Sequence, residues 1–440
     1  MTRVPSLPAD TGRSGWEALS RRPFPARGLD TEVTADWLVI GAGFAGLSAA
    51  RRLSQRAPGA RIVVLDAREL AQGPAGRNSG FMIDVPHNLA AGEYSSADAG
   101  GTRLEMHRNR LAIAFAKEAA AEYGMPRETF DPCGKINAAA SERGLKHNED
   151  FAASLEAIGE PVARIDAAEI RAITGSDYYR GGLFTPGAVQ IQPADYIRAF
   201  AAGLGEKIDL YENSPVVELA RNAGAWVART PRGSVSAPKV ILGVNGLAQD
   251  FGFFRGRLMH VFTYASMTAP FTGAAGRERW GILPADAMGA TVRKISGPDG
   301  ARIAIRTRYS YDPSKQVSER KLAAMVRDHR RSLDARFPDL AGLRFEYSWA
   351  GRLCLSLNHV PAFGEVDENL YSACCCNGLG TVKSTLAGMM AADLATGTRS
   401  GDLDRYQDQP KPRRLPPEPA ATIGARAVIR WQEMRAGREG

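Results

Sequence analysis

The sequence predicts an α/β fold: a doubly wound, largely parallel sheet interleaved with a second, α+β domain built on a mixed sheet. Three observations predict it. The stretch DWLVIGAGFAGLSAARRL, Asp36–Leu53, carries an apolar strand through three glycines into an alanine-rich helical pattern. The same device returns further on, where a strand at Leu370–Cys376 meets Asn-Gly-Leu-Gly and then a helix at Ser384–Leu394. Between them, the apolar stretches His260–Ala269 and Arg302–Tyr309 read as strands of a different sheet.

Taken in order, residues 1–33 are polar and proline-containing and are expected as an arm on the surface. The strand, turn and first helix occupy 36–57, with Leu47, Ala50, Leu53 and Ala57 forming the helix's inward face. A second strand follows at Arg61–Asp66. A long helical pattern covers Thr102–Tyr123, and another opens at Pro193, where a proline's missing N–H costs nothing. Alternating segments at Pro215–Val227 and Ser234–Val244 read as strands. The division expected is a nucleotide-binding domain from 34–98, 185–250 and 348–400, and a substrate domain from 99–184 and 251–347. A basic tail and helix complete the chain at 401–440.

Gly41, Gly43 and Gly46 fit G-x-G-x-x-G at a strand-to-helix junction. The first permits the tight turn, the second lets a pyrophosphate approach the backbone, and the third lets helix and strand pack closely. Phe44 and Ala45 open the helix, whose free N–H groups and positive end face the phosphates. Asp66 ends the second strand twenty residues after Gly46, where a carboxylate accepts from a ribose diol, with Ala67 beside it. A Rossmann-like dinucleotide site is the reading. Further βαβ units, usual for NAD, do not follow; an irregular loop at Gln72–Gly80 does.

Here the sequence resembles the D-amino-acid oxidase family of FAD-dependent oxidoreductases, most nearly its γ-glutamylputrescine oxidase and sarcosine oxidase-like branches. The resemblance rests on the opening stretch with VVLDA, GRNSGF, QPADYIRAFAAGL, APKVILGVNG, WAGRLCLSLNHVPAFG and CNGLGTVKSTLAGMMAADL. It implies FAD, with Arg77, Asn78, Ser79 and Gly80 beside the isoalloxazine ring. It further implies Val216, Val217, Asn245 and Gly246 along the cofactor. Gly378, Leu379, Gly380 and Thr381 would start a helix facing the ring's pyrimidine end, where Lys383 stabilises negative charge. Some relatives attach FAD through a histidine in the loop or a cysteine in the segment matching GRLCLSL. Here the loop has no histidine and Cys354 falls about three positions off by spacing, so non-covalent FAD is expected. Where relatives place a carboxylate-binding arginine after WAG, this chain has Leu353, with Arg352 one place earlier and expected to point elsewhere.

Composition narrows the classes. Five cysteines, three of them adjacent, make no disulfide framework, and no apolar run approaches the length of about 18 residues a membrane span needs. A cytoplasmic protein is expected. From Pro410 onward seven basic residues face three acidic ones, a balance of +4 that holds half of the net +8. With no aromatic-interleaved basic stripe, no nucleic acid is expected as partner. The six histidines show no metal-ligand spacing, and no metal is expected.

The function expected is oxidation of a primary or secondary amine by hydride transfer to flavin N5, with hydrolysis of the imine and reoxidation by oxygen to hydrogen peroxide. The alternatives are a dehydrogenase passing electrons to a quinone or protein, and a flavoprotein module of RNA modification. Candidate pocket residues are His260 and Tyr264, which share a strand face by period two, with Arg306 and Arg308 on the second sheet. His359 and Lys383 complete the catalytic candidates. The substrate is a small amine; its identity and the oligomeric state are open.

Overall fold

The structure is a computed structural model that describes residues 2–5, 7, 10–21, 26–85, 99–273 and 276–440. The part of the first nucleotide-binding segment at 86–98 lies outside them, as do residues 1, 6, 8, 9 and 22–25 of the arm.

Four strands lie side by side, the inner ones buried on both faces as a parallel sheet covered by helices requires. They are Asp209–Tyr211, Ile62–Leu65, Trp37–Ile40 and Lys239–Leu242; Leu370–Cys374 joins in parallel and Ala362–Asp367 closes the edge antiparallel. The helices Phe44–Arg56 and Gly380–Ala395 pack on one face, where Leu47, Ala50, Leu53, Val382 and Leu386 join a single core. A second sheet of eight strands runs Phe345–Ser356, Leu258–Thr268, Gly300–Tyr311, Thr291–Gly297, Trp280–Pro284, Lys135–Ala139, Gly181–Thr185 and Ala163–Ile165. It is mixed: Trp280–Pro284 and Lys135–Ala139 run parallel among antiparallel neighbours. Smaller sheets of five and three strands fill the joins.

Several expectations are corrected. The stretch 215–227 is a hairpin, Glu218–Asn222 and Ala225–Arg229, turned at Ala223 and Gly224 with positive φ at both. The stretch 234–244 is two strands in different sheets, Ser234–Ala237 and Lys239–Leu242, divided at Pro238, which has no N–H to carry one ladder onward. The last core helix begins at Gly380 rather than Ser384. Part of the arm is packed inward and does not lie on the surface. Trp16 is 2% exposed, donates from Nε1 to Asn78 O at 2.9 Å and packs edge-on to Trp349. The segment 401–440 is likewise docked: Glu439 accepts from Ala140 N at 2.9 Å and Ser141 Oγ at 2.8 Å, with Tyr309 N donating to Glu433 at 2.8 Å.

Two buried histidines tie this packing to pH. His329 meets Ser266 Oγ at 2.8 Å and is pushed down to about 4 by burial; His260 is pushed down to about 3, first by burial and then by Arg352 and Lys315. Both stay neutral when folded, whereas in the unfolded chain they protonate near pH 6.5. The unfolded state therefore binds more protons as pH falls below 6.5, and stability is lost from there toward pH 4, by up to about 1.4 kcal/mol per pH unit for each group. Urea midpoints at pH 7 and pH 5 should fall more steeply in the wild type than in His329→Gln.

Candidate active site

One cavity of about 530 Å³ runs between the two large sheets. It begins at the glycine turn. Gly41 has φ +99°, and a Cβ there would sit 2.7 Å from Gly243 O. A Cβ on Gly46 would lie 1.6 Å from Gly41 O, so the third glycine seats the helix on the strand and does not line the cavity. Gly43 differs. Its φ is −86°, and a Cβ would meet only Ala75 Cβ, at 3.5 Å. The space in front of it belongs to the cavity, and its N-cap position offers no side chain to the N–H groups of the helix that follows. This is a cradle sized for a phosphate oxygen against the backbone, and a dinucleotide fits it.

Asp66 lines the cavity with Ala67, yet both of its oxygens are already engaged: Oδ2 accepts from Ala42 N at 2.8 Å and Oδ1 from Arg68 N at 3.0 Å. Burial pushes its carboxyl up, against the pull of those two N–H groups. Asp66 therefore fixes the turn. Val216 and Val217 wall the same end.

Along the loop, Asn78 and Ser79 line the cavity with Phe81; Arg77 and Gly80 do not. Arg77 spends its guanidinium on the carbonyls of Gln72, Thr11 and Ala350, at 2.8, 3.2 and 3.2 Å. Gly80, at φ +77°, leaves room for Arg293, whose Nη1 would be 2.1 Å from a Cβ there. Arg293 is a residue that sequence reasoning missed. It is buried, its Nη1 donates to Ser79 O, Gly80 O and Ile191 O, and its guanidinium lies over the rings of Trp16 and Phe81. Burial pulls it down to about 10. Nothing in the sequence distinguishes it from a surface arginine on an alternating strand.

At the other end Gly378, Leu379, Gly380 and Thr381 line the cavity, together with Ser384, at the start of the helix Gly380–Ala395. Thr381 Oγ1 donates to Phe81 O at 2.6 Å, locking this turn to the loop. Asn245, with φ +50°, and Gly246 complete the wall; Asn245 Oδ1 accepts from Cys375 N at 3.1 Å. Lys383 is not in the wall. Its Nζ pairs with Glu105 at 2.8 Å, because one step along the helix from Ser384 turns it toward the long helix Ala99–Glu122. Cys354 is 1% exposed, lies outside the lining, and its thiol is pushed up by burial and by the neighbouring cysteines.

The far chamber is floored by the eight-stranded sheet, with Thr263, Leu283, Ala287, Arg306, Tyr309 and Leu353 prominent. Of the catalytic candidates only His260 lines the cavity. Gln249 fixes its tautomer: Oε1 accepts from Gly256 N, so Nε2 is the amide nitrogen and donates to Leu258 O and, at 3.4 Å, to His260 Nε2. The imidazole hydrogen then sits on Nδ1, which is buried with no partner among the described residues. Tyr264 faces away. It is fully buried against Val317 and Leu322 under the helix Glu319–Arg336, and its hydroxyl meets Ser310 Oγ at 2.6 Å. Thr263 is on the chamber side of this strand and Tyr264 opposite, whereas His260, near the strand's start, reaches the cavity beside Gly246. His359 sits in a turn with φ +56°, outside the lining. Arg308 pairs with Asp328. Arg352 lines the cavity after all, held by buried Asp10 of the arm at 3.7 Å, which also meets Arg68 at 2.9 Å. Among the described residues no cluster of three or more metal-ligating side chains occurs.

The sequence matches the family described as "DAO: FAD dependent oxidoreductase" over residues 36–394. It is similar to γ-glutamylputrescine oxidoreductase of Escherichia coli (strain K12), 26% identical over 406 residues that span 89% of this chain and 90% of that protein. It is also similar to the tRNA 5-methylaminomethyl-2-thiouridine biosynthesis bifunctional protein MnmC of Polaromonas naphthalenivorans (strain CJ2), 26% identical over 86% of this chain and 58% of that protein. Glycine oxidase from Geobacillus kaustophilus superposes with a TM-score of 0.68 at 19% identity, over 88% of this chain and 100% of that one. At that identity the likeness is one of fold.

Proposed function

The chain belongs to the FAD-dependent oxidoreductase family, and from that premise we propose that it oxidises the C–N bond of a primary or secondary amine. FAD is its cofactor, held without a covalent link in our reading. The cofactor supplies acceptance of a hydride at N5 and return of both electrons to oxygen as hydrogen peroxide; the imine product is hydrolysed in water. The observation that carries the proposal is the single cavity that joins the Gly43 cradle to the chamber under Thr263, Leu283 and Tyr309. A chamber continuous with the cofactor site and walled in large part by apolar surface limits the water that reaches the reacting carbon. The substrate named for the Escherichia coli relative, γ-glutamylputrescine, is an amine, which supports the same class. The segments 34–98, 185–250 and 348–400 we assign to FAD, and 99–184 with 251–347 to substrate. The five free cysteines suit a reducing, cytoplasmic setting.

Arg306 points to a second group on that amine. Its guanidinium meets the Tyr309 hydroxyl and, at 2.7 Å, Thr291 Oγ1, and among the described residues it pairs with no carboxylate. An uncompensated guanidinium at a half-buried cavity wall suits an acidic group on the substrate. His260, held neutral, adds no competing charge. Arg306→Met should raise KM for an acidic amine by roughly 10- to 100-fold, the worth of a charge-assisted hydrogen bond, and leave neutral amines little changed. Peroxide release across a panel of amines, amino acids and 2-hydroxy acids tests the proposal. Turnover of amines supports it; turnover of 2-hydroxy acids alone would remove it.

A further inference from the structure

We propose that the helix Ala420–Ala436 docks the protein on an anionic phospholipid surface. The helix lies against the strand Gly300–Tyr311 through Ala425 and Ile429, which join a small core with Tyr309 and Tyr311. Its other face is not covered. Ile423 is 64% exposed, Val428 52%, Trp431 52% and Met434 64%. At about 3.6 residues per turn, Ile423, Ala427, Trp431 and Met434 fall along one stripe with Val428 beside it. Arg426 and Arg430 edge one side of that stripe and Arg435 the other; all three are exposed. The Arg435 guanidinium lies 4.6 Å from the centre of the Trp431 ring.

Charge decides the occupant. The acidic residues of this region are turned inward or tied locally: Glu433 accepts from Tyr309 N, Glu439 from Ala140 N, and Glu418 from Tyr311 Oη and Thr422. The outward face of this helix is therefore apolar and cationic, with no carboxylate of its own residues on it. Pairing with a second copy through this stripe would set arginine rows against each other with nothing to neutralise them. A bilayer with anionic headgroups meets both needs: acyl chains take the stripe, tryptophan sits at the interface, and the arginines reach phosphates. A continuous span is not required, and no helix among the described residues is long and apolar enough to cross a membrane. Because Glu433 on the inner face holds Tyr309 of the chamber, docking would set the substrate chamber close to the lipid.

The test is cosedimentation of the FAD-loaded protein with vesicles of equal parts phosphatidylglycerol and phosphatidylcholine, and with phosphatidylcholine alone. Trp431 is the one exposed tryptophan of the six, since Trp16, Trp37, Trp226, Trp280 and Trp349 are all buried. Brominated acyl chains should therefore quench it selectively. Two variants, Trp431→Ser with Met434→Ser and Arg426→Glu with Arg430→Glu, alter exposed side chains and should keep full flavin content. Binding to the anionic vesicles is expected, weakened at least about tenfold in each variant and by added salt. The inference is overturned by no binding, by equal binding to phosphatidylcholine alone, or by binding that survives both variants. A lipid-free dimer that the Trp431→Ser and Met434→Ser variant dissolves would overturn it in favour of a second copy. None of these readings depends on which substrate the enzyme oxidises.

Discussion

Gly43→Ala is expected to purify folded and without its yellow cofactor. The φ of −86° suits any residue, and the new methyl would meet only Ala75 Cβ at an ordinary 3.5 Å, so the apoprotein has no reason to unfold. The methyl would instead occupy the cavity space over the helix N-terminus that we assign to the pyrophosphate. Two phosphate hydrogen bonds lost there, at about 1.5–3 kcal/mol each, weaken FAD by more than a hundredfold. Flavin absorbance after desalting and the melting temperature of the apoprotein report the two halves of the prediction. Gly46→Ala is the contrast: its Cβ would strike Gly41 O at 1.6 Å, so the fold itself should fail.

Asp66→Ala should damage both fold and cofactor binding. The sequence alone suggests a milder effect, the loss of one ribose contact. The structure raises the expectation, because the carboxylate also accepts from Ala42 N and Arg68 N in a buried site. Removing it leaves two N–H groups without partners, at about 1–3 kcal/mol each. The apoprotein should then melt well below wild type, where Gly43→Ala does not. Asp66→Asn keeps one acceptor oxygen and should recover part of the loss. Equal apoprotein melting for Asp66→Ala and wild type would show that the turn does not rely on this side chain.

These two residues mark what sequence reasoning can reach. The glycine turn, its acid and the Asn377–Thr381 turn are local devices, in which spacing along the chain is the mechanism, and each lines or builds the cavity as its spacing implies. Side chains whose role depends on a neighbour far along the chain are not written that way. Lys383 belongs to a cavity-lining turn by position, but Glu105 of a distant helix takes its charge. Tyr264 shares a strand face with His260 as period two requires, yet at Tyr264 a helix from 319–336 covers that face, while His260 reaches the cavity near the strand's start. Arg293 is invisible because its partners are carbonyls at 79, 80 and 191, which no side-chain motif encodes. The arm misleads for the same reason: its polar composition hides Trp16, whose burial is decided by Trp349 and Asn78. Pro238, by contrast, is a local signal that divides two strands, and its missing N–H was there to be read.

An amine entering the chamber is expected to reduce the bound flavin. Anaerobic titration of the FAD-loaded protein with the best amine from the panel tests it most directly, with the visible flavin band followed before and after air is admitted. The band should bleach with one equivalent of amine and return rapidly in air, with one equivalent of peroxide. A band that no amine bleaches, while a 2-hydroxy acid does, would rule out amine oxidation as the reaction of this chamber.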